Sequence, residues 1–471
     1  MNDELLKLRS ILKTIPLNDN QINNILRYEN LKTENIKDVI KQAINLQHED
    51  TISYGVEKDF RINDSQWNRI GNLTFHRDLP IHNLMKGVLL DDNGNIIEYL
   101  PEDDWSNVPR DGSRGQVMVE IPKHYRRFYT KDEGNILGVR ISLFPIEGYH
   151  EVPRMFIGAY EASLDRVNKK LASVVNTTNN FRGGDNQSDW DNTYKSLLGL
   201  PVSNIPCNSL QEFARNRGSA NWNIYMYECH KTLLWLYVIE YANSNCQLEY
   251  TSELTENGYK QGGLGSGLTG ISASNWKKYN SQYPIIPCGY TDNFGNNTGM
   301  KTLEVNIPDV ETPIIQEISR YRGIENIFGH LWKHIIGLNL KISADVDKGG
   351  DGTSKVYACS NPLKFNNNDL KYYKYIGDTT RTSNYIKTII FGDDGCYLPN
   401  SIGKDSATIT IGDSSTAYLP NSGEIIRTTF VGGVARSYTN AGIFCSFLCT
   451  NPANKYIYAT SRLCYIDCNN N

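Results

Sequence analysis

The sequence predicts an α+β protein, with short helices first, antiparallel β-structure next, and a last region of two helices followed by strands. Three observations carry this. Apolar residues step by three and four near the start of the chain, and 225–243 has enough apolar positions for a long, mostly buried helix. Alternating runs broken by turn residues dominate from about residue 52 to 150. Beyond 243, glycine, asparagine and tyrosine are frequent and helical periodicity is weak.

In the first region, Leu5, Leu8, Leu12 and Ile15 share one helical face, and Pro16 ends the run. Ile22, Ile25 and Leu26 suggest a second short helix, and Ile36, Val39, Ile40, Ala43 and Ile44 a third. No heptad is sustained, which excludes a coiled coil. Residues 1–50 are expected to form a helical attachment or oligomerisation segment, because helices this short need a partner for their apolar faces.

Residues 51–150 read as a β-rich domain. "DDNGN" at 91–95 places Asn-Gly between "KGVLL" and "IIEYL", a hairpin signal. "QVMVEIPKHYRRFYT" alternates and then meets the turn-forming "KDEGN". Its Lys123, Arg126 and Arg127 are expected on an outer strand face; one such cluster is no electrostatic stripe for nucleic acid.

Residues 151–471 form the third region. "MFIGAYEAS" predicts a strand. In "NSLQEFARNRG", Ser209 and Glu212 have capping-box spacing before a short helix. "YMYECHKTLLWLYVIEYAN" predicts a long, mostly buried helix, and short strands are expected near 386–391, 407–411, 425–431 and 462–466.

The 471 residues suit about two to three domains. A net charge of −4 gives no general attraction to nucleic acid or an anionic membrane. The start, "MNDELLKLRSILKTIPLND", has no apolar signal core, and "LLWLYVI" at 233–239 is too short to span a bilayer. Ten cysteines spread over this length fit a chain made in a reducing cytoplasm. The 29 tyrosines suit a recognition surface, since tyrosine adds contact area and a hydrogen bond at low entropy cost.

Chemistry-bearing patterns are few. "GSGLTG" at 265–270 has the Gly-x-Gly-x-x-Gly spacing without a strand before it or a helix after it, so a flexible surface loop is expected. Asp345, Asp347 and Asp351 in "DVDKGGDG" are expected in a solvated turn, with calcium the alternative; the EF-hand pattern fails at Val356. His330 and His334 are four apart, but Leu331 stands where a metalloprotease has its glutamate, and Gly329 and Gly337 argue against a continuous helix. On a strand, Cys445 and Cys449 would lie about 13 Å apart, too far to share a metal or a disulfide. No catalytic residue, metal or cofactor is expected.

Three segments, "FIGAYEAS" (156–163), "YRGIENIFGHLWKHIIGLN" (321–339) and "VGGVARSYTNAGIFC…SRLCYI" (431–466), resemble in order those of a C-type lectin-like domain. The branch is the one shared with formylglycine-generating enzymes. The look-alikes are large phage and Bacteroides proteins diversified by retroelements, phage receptor-binding tail and fibre proteins among them. "YGVEKDFRINDSQWNRIGN", "LPIHNLMKGVLLDDNGNI" and "RGQVMVEIPKHYRRF" resemble the leading β-region of such phage proteins. The resemblance implies that Trp332 is a core residue and that His334 stands where an aromatic is usual. Ser437 occupies the position of an enzyme cysteine, and Thr460-Ser461-Arg462 replaces Gly-Phe-Arg, so the resemblance implies a scaffold without enzyme activity. It further implies a virion protein, a tail or head fibre made in the host cytoplasm, that binds a glycan or protein receptor on the host surface. Its partners would be other virion proteins and two further copies in a trimer, with no nucleic acid and no membrane insertion. The variable segment would be 434–460, with Arg436, Ser437, Tyr438, Asn440, Phe447, Asn451, Tyr456 and Tyr458 as ligand-binding residues. The rival readings are a formylglycine-type oxidase needing copper or iron, and a bacterial surface lectin, which would need a signal peptide or lipobox.

Overall fold

The computed structural model describes residues 48–391, 395–403, 412–415 (backbone) and 419–467, with Lys13 and Ile44. Apart from those two helical residues and 48–50, the helical segment expected over 1–50 lies outside the described residues, as does the strand expected at 407–411. Helix and sheet are mixed, and mostly antiparallel sheets set the architecture.

One sheet runs Asn68–Gly71, Tyr54–Asp59, Ile136–Ser142, His124–Lys131, His150–Val152. A second runs Trp222–Asn223, Cys464–Ile466, Met155–Gly158, Gln116–Ile121, Lys86–Leu90, Ile96–Tyr99. In the second sheet Met118–Ile121 pairs with Met155–Gly158, so residues from both sides of position 150 share one sheet. The cause lies in the two runs. "QVMVEI" and "MFIG" are almost wholly buried, and each pairs with a strand along both edges.

Pro122, which lacks an N–H, splits the alternating run into strands of two different sheets. The hairpin forms as expected: Gly94 takes φ 84° and its amide donates to the Asp91 carbonyl at 3.0 Å. Arg126 is a correction. It faces inward at 1% exposure, donating to Thr232 Oγ1 at 3.2 Å and Glu228 Oε1 at 3.4 Å. Those acceptors lie on the long helix, which packs over that strand face.

The long helix Tyr227–Tyr241 has every residue buried. Trp235 at its centre meets Trp67, Phe128, Phe391 and Phe444 in edge-to-face contacts. Glu240 near its end is held by Arg322 at 2.7 Å through both guanidinium contacts. The shorter helix Cys207–Arg215 starts at Pro206, not at Ser209. Ser209 lies inside the first turn, so the expected capping box is absent. Proline's fixed φ opens the helix instead.

Among the described residues, the largest sheet has nine strands. Eight run Lys374–Asp378, Ser354–Ala358, Trp332–Ser343, Glu424–Gly432, Gly442–Thr450, Gly412–Ser415, Asn384–Phe391, Tyr397–Gly403, and Ala459–Thr460 pairs in parallel beside Trp332. The sheet curls until its edges meet: a methyl on Gly377 would lie 2.5 Å from Leu398 Cδ1 on the opposite edge strand. The stretch 321–339 is therefore no helix. Arg322, Asn326 and His330 have positive φ, and from Trp332 the chain is strand.

Candidate functional site

The register of the large sheet builds a row of rings. His334 lies opposite Phe430, and Phe430 opposite Phe447. Their ring centres are 4.4 Å and 6.2 Å apart. Trp332, two residues from His334 and so on the same strand face, stacks on Phe430 at 6.0 Å. Tyr456 meets Phe430 edge-on at 5.2 Å, Tyr458 lies 5.7 Å from Tyr456, and the Arg436 guanidinium covers the Tyr458 ring at 5.0 Å. Exposure grades along this cluster. His334 and Phe430 are buried, Trp332, Phe447, Tyr456 and Tyr458 are half-buried, and Arg436 is exposed. Burial raises the Tyr458 phenol above its usual range.

The backbone fixes both ends of the surface. Gly432 and Gly433 take φ 93° and 85° where the strand ends. A methyl on Gly433 would lie 2.7 Å from the Ala441 side chain, so the chain must turn there without one. Ser437 Oγ accepts from the Val434 amide at 3.0 Å, and the Ala435 amide donates to the His330 carbonyl at 2.9 Å. At the far end, the Trp332 amide donates to the Tyr458 carbonyl, and the Asn451 amide to Tyr456 Oη at 3.3 Å.

Of the residues expected to bind ligand, Arg436, Phe447, Tyr456 and Tyr458 come together in this cluster, and Asn451 joins through Tyr456. Tyr438 and Asn440 make their described contacts elsewhere. The Tyr438 amide donates to the Thr269 carbonyl at 2.7 Å, and Asn440 Oδ1 accepts from Tyr385 Oη at 2.6 Å. Ser437 serves the turn before them. The segment 434–460 is also less loop-like than its polar residues imply, because Gly442–Thr450 is a largely buried strand. "GIFCSFLC" is apolar on both faces, and the polar residues sit mainly at the segment's two ends. Trp332 is half-buried where a core residue is expected. Trp332, Phe430 and His334 are the members of the surface that the site reading did not include. The alternation of "LWKHI" is the signal that sets Trp332 and His334 on one face and Lys333 on the other.

Behind the row lies a buried charge cluster. His330 Nε2 accepts the amides of Ile285 and Ile286, so its proton sits on Nδ1 and goes to Glu161 Oε2 at 2.6 Å. Lys333 Nζ lies 2.9 Å from Glu161 Oε1 and donates to the Gly329 carbonyl at 2.7 Å. Burial alone would raise the Glu161 carboxyl; Lys333 and His330 reverse this and hold it at about 2. Burial lowers Lys333 to about 8. His334 packs against rings, and burial lowers it to about 3. The two histidines thus serve different surroundings and share no site.

The remaining motifs have structural places. "GSGLTG" is mostly buried, which corrects the surface loop: the Leu268 carbonyl takes the His330 amide, and a methyl on Gly267 would lie 2.6 Å from Phe328. Asp345 accepts from Arg381 at 2.8 Å, and Asp351 from Thr353 Oγ1 at 2.6 Å. Cys445 and Cys449 are buried in the strand Gly442–Thr450, and neither is in a disulfide. Among the described residues, no group of three or more histidine, cysteine, aspartate or glutamate side chains is placed to hold a metal ion, and no helix is long and apolar enough to cross a membrane. No protein-family model matches the chain, and no curated protein matches it.

Proposed function

We propose that the chain is a phage virion component, a tail or head fibre, whose C-type lectin-like region binds the host cell surface through the aromatic cluster topped by Arg436. One observation carries the reading: the ring cluster runs from buried Phe430 to half-buried Trp332, Tyr456 and Tyr458 and ends in an exposed guanidinium. Half-buried tyrosine, tryptophan and arginine are the side chains in which binding energy concentrates. The lectin-like reading of residues 151–471 is supported by the pairing of Met155–Gly158 with Cys464–Ile466, which brings strands from near the two ends of the region together. Assembly as a trimer through residues 1–50, and docking to other virion proteins, complete the proposal. Electron microscopy of virions decorated with antibody to this chain tests it. Label at fibre or tail positions is the expected result; virions that never carry the label would overturn it.

A further inference from the structure

Away from the aromatic surface, a cavity of about 210 Å³ lies where the long helix meets two strand ends of the large sheet. Its walls carry Tyr227, Glu228 and Lys231 from the helix, Cys359 just after the strand Ser354–Ala358, and Cys396 just before the strand Tyr397–Gly403. Two cysteines from distant parts of the chain therefore line one cavity. Lys231 Nζ lies 4.0 Å from Cys396 Sγ and 2.8 Å from Glu228 Oε2. The Cys359 thiol donates to the Asn361 carbonyl at 3.6 Å, and burial raises it above the usual thiol range.

The two sulfurs are not equivalent. Charge developing on Cys396 Sγ has an ammonium beside it, whereas Cys359 keeps its proton on a carbonyl. We infer that this cavity is a dithiol exchange site for a small neutral disulfide, with Cys396 the attacking sulfur and Cys359 the resolving one. In the first step the Cys396 thiolate attacks one sulfur of the small disulfide. A new S–S bond joins Cys396 to half of the reagent, and the other half leaves as a thiolate that takes up a proton. In the second step Cys359 loses its proton and attacks Cys396 Sγ. The Cys359–Cys396 bond forms and the second half leaves as thiol. Two protein thiols are oxidised, and one disulfide is reduced to two thiols. The product ties the strand that ends at Ala358 to the strand that begins at Tyr397, near the seam where the curled sheet meets itself.

Treating the full-length chain with 2-hydroxyethyl disulfide, quenching with acid and mapping peptides by mass spectrometry tests this. The expected result is a Cys359–Cys396 disulfide formed before any other described cysteine reacts. Cys359→Ser should stop at a mixed disulfide on Cys396. Lys231→Met should slow reaction at Cys396 about tenfold, and Lys231→Arg should restore most of the rate. Because the ranking of cysteines is read in the unaltered protein, poor folding of a variant does not spare the proposal. Cys396 reacting no faster than the other buried cysteines would overturn it, and so would a stable mixed disulfide on Cys396 while Cys359 is present.

Discussion

His334→Phe is expected to stabilise the fold. The ring is fully buried, and its Nδ1 and Nε2 make no hydrogen bond to the protein. A neutral imidazole brings one donor and one acceptor, and leaving one such buried group unsatisfied costs about 1–3 kcal/mol. A phenyl ring keeps the edge-on contact with Phe430 at 4.4 Å and removes both polar atoms. The extra ring atom opposes this by about 1 kcal/mol of crowding, so a net gain of up to about 2 kcal/mol is expected at pH 7. The pH dependence adds a second signature. Burial holds His334 at about 3 against an ordinary 6.5. Between those values the unfolded chain binds the proton and the folded chain does not, so the stability contributed by neutral His334 is present above 6.5 and lost as pH falls towards 3. At pH 5 the loss is about 2 kcal/mol. The phenylalanine variant lacks this term, while buried His76, His82 and His230 are common to both proteins and cancel in the difference. Urea unfolding of parent and variant at pH 7 and pH 5 measures both effects. A variant less stable at pH 7, with a gap that does not widen at pH 5, would refute the placement of His334.

Two further substitutions probe the same region. Glu161→Gln should cost about 3–5 kcal/mol, because it leaves the buried Lys333 ammonium without its carboxylate; adding Lys333→Met should recover much of that loss, and urea midpoints that show no recovery would argue against the pairing. Trp332→Ala should cost about 2 kcal/mol, below the 3–5 typical of a buried tryptophan, because the ring is half-exposed; a thermal shift as large as that of a core truncation would place Trp332 in the interior.

Much of the fold was legible in local pattern. The Asn-Gly turn, the long apolar helix and the strands near 386–391, 425–431 and 462–466 follow from turn chemistry, the density of apolar residues and local strand pattern. What was not legible depends on partners far along the chain. Arg126 reads as an outer-face residue until Glu228, some hundred residues on, is brought beneath it. The pairing across position 150 was hidden for the same reason: "QVMVEI" and "MFIG" advertise that they are buried, not that they pair with each other. Four of the eight candidate site residues lie together because strand pairing sets Phe447 beside Phe430 while Tyr456, Tyr458 and Arg436 continue the contacts from Phe430 outward. Phe430 itself lies outside that segment, and only the strand register reveals its place in the row.

The most direct test of the account is adsorption. Fluorescently labelled full-length chain, with Arg436→Ala or Tyr458→Ala, is titrated against cells of the proposed host bacterium. Truncating a binding side chain of this kind costs about 2 kcal/mol, close to a thirtyfold loss of affinity. The account predicts a loss of that order for each variant, with thermal unfolding close to that of the parent. Both variants binding the cells as tightly as the parent would contradict it.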